Sequence, residues 1–83
     1  MNYVYMLRCG DGSLYTGWTK DIGKRLRSHS EGKGAKYTRS RRPLELVYVE
    51  ELETEGEARK REAYIKKLSR REKEALVGRA SVE

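Results

Sequence analysis

The sequence feature that most restricts the fold is the segment Gly10-Asp11-Gly12, which separates two stretches rich in aromatic and β-branched residues. Residues 2–9 (NYVYMLRC) and residues 13–19 (SLYTGWT) have the composition of β-strands. Two glycines around an aspartate are typical of a tight turn between strands. The N-terminal part of the chain is therefore predicted to form an antiparallel β-hairpin.

The length of this turn decides which side chains share a face of the hairpin, because a shift of one residue inverts every side chain. A two-residue loop would place Tyr5 and Tyr15 on opposite faces. A three-residue loop over residues 10–12 would place both on one face, pairing Tyr5 with Gly17 and Leu7 with Tyr15. Two glycines suit the longer loop, which needs a residue with positive φ, so we predict this form or an equivalent bulge.

A first helix is predicted between Asp21, a suitable N-cap, and Gly32, a suitable stop. Side chains at the spacing i, i+3, i+4 and i+7 form one face of this helix, and they are Ile22, Arg25, Leu26 and His29. Two polar side chains thus share the face that carries the apolar ones, which requires either a partner or a cleft.

The remainder of the chain contains a basic segment, an apolar segment and two segments with helical patterns. Residues 33–42 are predicted to form a basic loop, and residues 44–52 a third strand whose continuous apolar centre indicates burial on both faces. Residues 55–68 read as a helix, and a short last helix is expected at about 70–77. The tail, about 78–83, is expected to fray.

Composition limits the functions that the chain can have. Its 83 residues fit one small domain, 1–83. The net charge of +6 suits a polyanionic partner, nucleic acid first, and by itself suits a merely basic soluble protein about equally. One cysteine excludes an internal disulfide, and one cysteine with one histidine cannot build a zinc site. We recognise neither a signal peptide nor a membrane span, and we expect a cytoplasmic protein that makes no membrane contact.

The side chains that could handle a phosphodiester bond are Tyr5, Tyr15, Arg25, His29 and Glu62. Glu62 would hold a metal at the border of a buried helical stripe, or form a solvated ion pair with Lys66. Arg25 would bind a phosphate or form a salt bridge. His29 would bind a phosphate, move a proton or serve as a structural residue. The tyrosines would position water, act as a base or belong to the core.

The basic loop supplies candidates for nucleic-acid binding, which are Lys33, Lys36, Tyr37, Arg39, Arg41 and Arg42. Its cations suit a phosphate backbone, although a solvated loop would have the same composition. Tyr37 would either stack on an unpaired base or pin the loop to the body of the protein.

In combination these residues resemble the GIY-YIG nuclease domain. Tyr3-Val4-Tyr5 stands where that family has its first motif, and Tyr15-Thr16-Gly17 stands at its second. Arg25 and His29 follow within the first helix, and Glu62 falls in the later helix that supplies the family's metal-binding carboxylate. In length and in the stretch GKGAKYTRSRRPLELVY, the chain is most similar to the small stand-alone bacterial members.

This resemblance implies an α/β fold, with a small three-stranded antiparallel sheet flanked by about three helices. It implies metal-dependent hydrolysis of DNA, with structure-specific cleavage in DNA repair or recombination as the narrower expectation. Glu62 would hold Mg²⁺ or Mn²⁺, and Arg25 would stabilise the pentacovalent phosphorane. Tyr15 would help deprotonate the attacking water, while Tyr5 and His29 would position water and phosphate.

Two residues depart from the family pattern. Tyr3 replaces the glycine of the first motif, and Trp18 stands where better-known members often carry a small or basic residue close to the active site. An indole cannot donate charge to a phosphate, so the alternative function is a nucleic-acid-binding module with weak or no nuclease activity. DNA is expected as the partner before RNA, together with a protein partner that supplies substrate specificity. A purely protein-interacting domain would leave the basic loop unexplained.

Overall fold

The computed structural model describes residues 1–81, with side chains as far as Arg79. The predicted three-stranded antiparallel sheet with helices around it is confirmed, and the strand order is β2-β1-β3. In chain order the elements are β1 (Asn2–Arg8), β2 (Leu14–Thr19), α1 (Ile22–Ser30), α2 (Lys36–Arg39), β3 (Glu45–Leu52), α3 (Glu55–Lys66) and α4 (Arg70–Ser81). None of the described helices has the length and apolar character needed to cross a membrane.

The turn between β1 and β2 has the predicted odd length. The Cys9 amide donates to the Ser13 carbonyl at 2.8 Å, and the Gly12 amide donates to the Cys9 carbonyl at 2.9 Å. Gly12 has a φ of 86°, the left-handed conformation that this loop requires and that glycine adopts without strain. The register is the one predicted, with Tyr5 opposite Gly17 and Leu7 opposite Tyr15.

The two faces of β1 serve different purposes. Val4 and Met6 are fully buried on one face, where they pack with Ala58 and Ile65 of α3 in the hydrophobic core. Tyr5 lies on the opposite face of the strand and reaches the side chain of His29 on α1. The sheet therefore separates an apolar core from a layer that holds the polar candidate residues.

The prediction that the third strand is buried on both faces was wrong. β3 is an edge strand, because the central position in the sheet belongs to β1. Val49 and Leu46 are 42% and 39% exposed, whereas Val47 and Tyr48 pack against the core. A continuous apolar run did not distinguish an edge strand that contains a bulge from a central strand, and β3 is bulged opposite the Met6/Leu7 step.

The first helix begins and ends as predicted. The Asp21 side chain accepts a hydrogen bond from the Lys24 amide at 3.0 Å, which caps α1. After Ser30, Gly32 has a φ of 78° and its amide donates to the His29 carbonyl.

The later helices differ from their predicted extents. The segment predicted to be a loop contains the short helix α2, and α3 ends at Lys66 rather than at residue 68. α4 continues to Ser81, into the segment that was expected to fray, and residues 82–83 of that segment lie outside the described residues. An ion pair holds α4 to the sheet: Glu74 accepts two hydrogen bonds from Arg8 at 2.8 and 2.9 Å, which lowers the pKa of Glu74 to about 2.

Two glycines give a matched test of the turn, because a β-carbon at either position would meet no atom within 4 Å. Gly12→Ala should lower the free energy of unfolding by about 1–2 kcal/mol, since alanine is strained at positive φ. Gly78→Ala, on α4, should raise it by about 0.5–1 kcal/mol, since alanine is the better helix former. Urea unfolding of both variants measures the difference, and an unchanged Gly12→Ala protein would show that the turn does not need this conformation.

Candidate active site

A cleft of about 470 Å³ lies along the edge strand β2, between α1 and α3. Its lining comprises Tyr15, Gly17, Trp18, Thr19, Lys20, Asp21, Arg25 and Glu62. Three predicted site residues, Tyr15, Arg25 and Glu62, thus reach one cleft from three different elements. The other two, Tyr5 and His29, are buried behind it.

Gly17 makes room for the Tyr5 hydroxyl. A β-carbon at position 17 would lie 2.6 Å from Tyr5 Oη, closer than any side chain can be accommodated without a shift. The absence of that atom lets the phenol of the central strand extend beneath β2 toward the cleft. The register set by the three-residue turn therefore places a glycine where the site needs one.

A chain of buried hydrogen bonds runs inward from Tyr5. The Tyr5 hydroxyl lies 2.9 Å from His29 Nε2, and His29 Nδ1 lies 2.9 Å from Thr38 Oγ1. Tyr5 and Thr38 are fully buried and His29 is 1% exposed. Three elements, β1, α1 and α2, are thereby linked through side chains at the back of the site.

Burial keeps this series of hydrogen-bonded side chains uncharged at neutral pH. Desolvation raises the pKa of Tyr5 to about 12, with the neighbouring Tyr15 adding to the rise and Arg25 opposing it. Desolvation also lowers the pKa of His29 below its ordinary value of 6.5, and the charge of Arg25 acts in the same direction. A phenol that keeps its proton therefore faces an imidazole that is free to accept one.

Tyr15 lies in the middle of an aromatic cluster. Its ring meets the His29 ring edge-on at 5.5 Å between centroids and the Tyr5 ring at 6.4 Å. From the short helix α2, the Tyr37 ring stacks on Tyr15 with 6.0 Å between centroids and 25° between the planes. Of the two predicted roles of Tyr37, the one present in the free protein is attachment of the basic segment to the body.

Arg25 lies at the cleft with its charge unpaired. It is exposed, and among the described residues no carboxylate forms an ion pair with it. The salt bridge that was the alternative role of this residue does not form there. Its guanidinium is consequently available to an anion that enters the cleft.

Glu62 is the carboxylate that was predicted to hold a metal. Its side chain is 19% exposed, and its Oε2 lies 3.3 Å from the Nζ of Lys66, the ion pair expected as the alternative. Lys66 is 53% exposed, so its flexible side chain can move away. Asp21 also lines the cleft, but its carboxylate caps α1.

This donor set fits Mg²⁺ or Mn²⁺ better than a metal that needs a full protein cage. No group of three or more His, Cys, Asp or Glu side chains suited to a metal occurs in the part of the chain that the structure describes. Mg²⁺ commonly uses one or two carboxylates and completes its shell with water and substrate phosphate oxygens. Glu62 supplies one hard carboxylate ligand at an open cleft, so it suits such a site.

The basic segment divides into cations that are engaged and cations that are not. Arg41 donates to Asp11 at 3.1 Å and lies 3.9 Å above the centre of the Tyr37 ring. Lys36 and Arg39 are exposed, and neither pairs with a carboxylate within the described part of the protein. Both line a shallow surface depression of about 760 Å³, so they are the better placed to meet a phosphate backbone.

The two ends of this segment fold back onto α1. Arg42 donates to the Ser30 carbonyl at 3.3 Å, and Lys33 lies 4.0 Å from Glu31. These contacts are exposed and weak, and they leave the charges of Lys33 and Arg42 accessible.

Trp18 occupies a different position from the one its place in the motif implied. Alternation along β2 directs its side chain to the face opposite Tyr15 and Gly17, where it packs against the hydrophobic core. Part of the residue also lines the cleft. The indole therefore takes the place of a core residue and does not displace a charged group from the centre of the site.

Thr38 and Gly34 were not recognised from the sequence. A β-carbon at position 34 would overlap the His29 ring, so Gly34 allows the basic segment to lie against that histidine. Thr38 is nine positions beyond His29 and belongs to another element, so no local spacing rule relates the two. The available signal was weak: a glycine and a single hydroxyl residue next to Tyr37 in an otherwise basic segment.

The site can be compared with proteins of known family. The sequence profile of the GIY-YIG catalytic domain matches residues 1–75 of this chain. A UPF0213 protein of Clostridium perfringens is 54% identical over 83 residues, covering 100% of this chain and 89% of that protein. A UPF0213 protein of Syntrophus aciditrophicus is 57% identical over 77 residues, covering 92% of this chain and 88% of that protein.

Two solution NMR structures are similar in fold. The UPF0213 protein BH0048 from Bacillus halodurans has a TM-score of 0.62 and 52% identity, covering 94% of this chain and 84% of that one. The protein EF2693 from E. faecalis has a TM-score of 0.66 and 43% identity, covering 99% of this chain and 88% of that one. The similarity thus extends over nearly all of the sequence.

The pKa of Tyr5 predicts a specific loss of stability in alkali. From pH 10 to about 12 the unfolded chain releases the Tyr5 proton while the folded chain retains it, so the free energy of unfolding falls as pH rises. This residue should account for about 2–3 kcal/mol of the fall. Urea unfolding across this range compares the wild type with Tyr5→Phe, whose stability should fall less steeply. Identical slopes would contradict the shifted pKa.

Proposed function

Because the chain belongs to the family of GIY-YIG catalytic domains, we propose that it is a metal-dependent endonuclease that hydrolyses phosphodiester bonds in DNA. The family resemblance predicted from the motifs is confirmed, and membership implies a nucleic-acid substrate. The observation that supports catalysis most strongly is that Arg25 and Glu62 line one cleft, with the hydrogen-bonded Tyr5–His29 pair buried behind it. A cation, a carboxylate and a proton acceptor are the groups that phosphodiester hydrolysis requires.

Arg25 would bind the scissile phosphate. Its guanidinium is exposed at the cleft and is not engaged by a carboxylate among residues 1–79. Two of its N–H groups can donate to two phosphate oxygens at once, and this interaction strengthens as charge accumulates on the phosphorane. Arg25 therefore stabilises the transition state more than the bound substrate.

Tyr5 and His29 would take the proton of the attacking water. The water oxygen would form the new bond to phosphorus while the bond from phosphorus to the leaving oxygen breaks. The water proton would pass to Tyr5 Oη as the Tyr5 proton passes to His29 Nε2. The phenol remains neutral throughout, which agrees with a pKa of about 12. This arrangement favours Tyr5 over Tyr15 as the group that accepts the proton, because Tyr5 has a base behind it.

Tyr15 would have a different role. Its hydroxyl forms no hydrogen bond with another residue in the described part of the chain, and its ring holds His29 and Tyr37 in place. At the wall of the cleft it is suited to orient the attacking water or a phosphate oxygen. It therefore contributes to position rather than to proton transfer.

Glu62 would hold the divalent metal, after Lys66 has moved from the carboxylate. A bound Mg²⁺ or Mn²⁺ would neutralise the negative charge that develops on the leaving oxygen. Glu62 and Arg25 line the same cleft, which would allow the two residues to act on the same phosphate.

Several narrower features complete the proposal. DNA is the expected substrate before RNA, with structure-specific cleavage in repair or recombination, in the cytoplasm, aided by a protein partner that supplies specificity. Lys36 and Arg39 would contact the phosphate backbone outside the cleft, followed by Lys33 and Arg42. Arg41 and Tyr37 would mainly keep this basic segment in place.

One observation favours the alternative of a nucleic-acid-binding module with weak or no nuclease activity. The carboxylate of Glu62 is already ion-paired with Lys66, and the metal would have to compete for it. Binding through Lys36 and Arg39 needs no metal and would persist without catalysis.

Cleavage of a substrate panel tests the enzyme. Duplex, flap, fork and single-stranded DNA and RNA are incubated with Mg²⁺ or Mn²⁺. Cleavage of at least one substrate is expected, and Glu62→Gln or Arg25→Ala should lower its rate by about 100-fold or more. Glu51→Gln is the matched control, because Glu51 is exposed on β3, away from the cleft.

Binding measured on the same proteins separates the two functions. In the enzyme, Glu62→Gln loses cleavage and retains binding, whereas Lys36→Gln/Arg39→Gln loses affinity and has a shallower salt dependence than the charge-matched Lys60→Gln/Lys67→Gln. Binding without metal-dependent cleavage would establish the alternative. Equal cleavage by the wild type and Glu62→Gln would show that the site is assigned incorrectly.

A further inference from the structure

We propose that Thr38 is a positioning residue that fixes the tautomer of His29, leaving Nε2 free to accept a proton through Tyr5. This inference rests on the function proposed above, since it names the residue that prepares the proton acceptor. The structural half of the inference, the tautomer itself, can be measured without any substrate.

The argument begins with the single proton of the Thr38 hydroxyl. Thr38 Oγ1 donates to the Ala35 carbonyl at 2.9 Å, a short-range bond of the kind threonine often makes within a helical turn. With its proton used in this way, the oxygen can only accept from His29 Nδ1, 2.9 Å away. Nδ1 therefore carries the imidazole proton.

Tyr5, at the other end of this series of hydrogen bonds, requires the same tautomer. When Nδ1 is protonated, neutral His29 has a lone pair on Nε2, and the Tyr5 hydroxyl donates to it at 2.9 Å. Every donor in the series then has an acceptor. In the opposite tautomer Nε2 would donate to Tyr5, and the Tyr5 hydroxyl would have no acceptor among the described residues, which is costly for a fully buried group.

Among the residues that the structure describes, no further group near His29 could set its tautomer. Tyr5 approaches from β1, Tyr15 meets the ring edge-on from β2, and Arg25 lies one turn away on α1. Arg25 is a cation and can only disfavour a second proton on the ring. The tautomer is therefore selected by two groups, Thr38, which accepts from Nδ1, and Tyr5, which donates to Nε2.

The position of Thr38 also connects this choice to nucleic-acid binding. Thr38 is the fully buried residue of α2, and Gly34 lets the chain just before that helix lie against the His29 ring. The same short helix carries Lys36 and Arg39 on its exposed side. Contact between those cations and a phosphate backbone would hold Thr38 in place against His29.

The chain has one histidine, so its ring nitrogens can be observed without ambiguity. A long-range proton–nitrogen correlation spectrum of the ¹⁵N-labelled wild type at pH 7.5 is expected to show a protonated Nδ1 and an unprotonated Nε2. Thr38→Ser should keep this pattern, whereas Thr38→Val, which has nearly the same shape, should shift the population toward protonated Nε2. A wild type with protonated Nε2, or an unchanged Thr38→Val spectrum, would overturn the proposal.

Kinetics provides the second measurement. Thr38→Val should lower the cleavage rate by about 10–100-fold, as is typical for the loss of a group that orients another, with a changed acid limb of the pH–rate profile. Thr38→Ser should restore both. A wild-type cleavage rate and pH profile in Thr38→Val, as in Thr38→Ser, would contradict the proposal. A wild type that cleaves no nucleic acid would refute the proposed function alone, because the spectrum still decides the tautomer.

The wild-type spectrum tests the tautomer even if the Thr38→Val protein does not fold. That spectrum needs no variant, so an unfolded Thr38→Val protein cannot protect the proposal. Folding of each variant is checked from its amide spectrum before its rates are compared.

Discussion

The odd number of residues in the turn between β1 and β2 is the constraint on which the site depends. Three residues in the turn, with Gly12 at positive φ, put Tyr5 opposite Gly17 and bring Tyr15 to the same face. One residue fewer would turn β2 over, so that Trp18 faced α1 and Tyr15 entered the apolar core. A local backbone conformation thus determines which side of the sheet becomes hydrophobic and which becomes polar.

The polar side is stable because its buried groups satisfy one another. Tyr5, His29 and Thr38 would each be costly to bury alone, and their hydrogen bonds remove most of that cost. The same contacts attach the basic segment to the sheet, together with the stacking of Tyr37 on Tyr15. This ordinary buried network is linked to the cleft through Tyr15, which contacts the His29 ring and lines the cleft with Arg25 and Glu62.

The sequence was sufficient where local rules apply. Turn chemistry predicted the register, and the N-cap at Asp21 with the stop at Gly32 predicted α1. Helical periodicity placed Arg25 and His29 on one side of that helix, although it did not show that one would be exposed and the other buried. Glu62 was identified through the family motif, since its spacing alone favoured the ion pair to Lys66.

Features that depend on tertiary pairing were not predictable in the same way. The edge position of β3 follows from which strand pairs with β1, and an apolar run contains no information about that choice. The contact between Thr38 and His29 joins α2 to α1 through side chains, and it becomes visible only when the basic segment is folded back. The position of Trp18, by contrast, follows from a local rule, since alternation along the strand from Tyr15 places its side chain on the core face.

The claim on which everything else rests is that the cleft between α1 and α3 is where metal and phosphate meet. Mn²⁺ broadens nearby amide signals, so titrating it into the ¹⁵N-labelled protein with a short, cleavage-resistant DNA strand locates the metal directly. We expect broadening to begin at Gly17 and Glu62, to leave Glu51 on β3 sharp, and to disappear in Glu62→Gln. Broadening that centres on the acidic strand β3, or that persists in Glu62→Gln, would contradict this assignment.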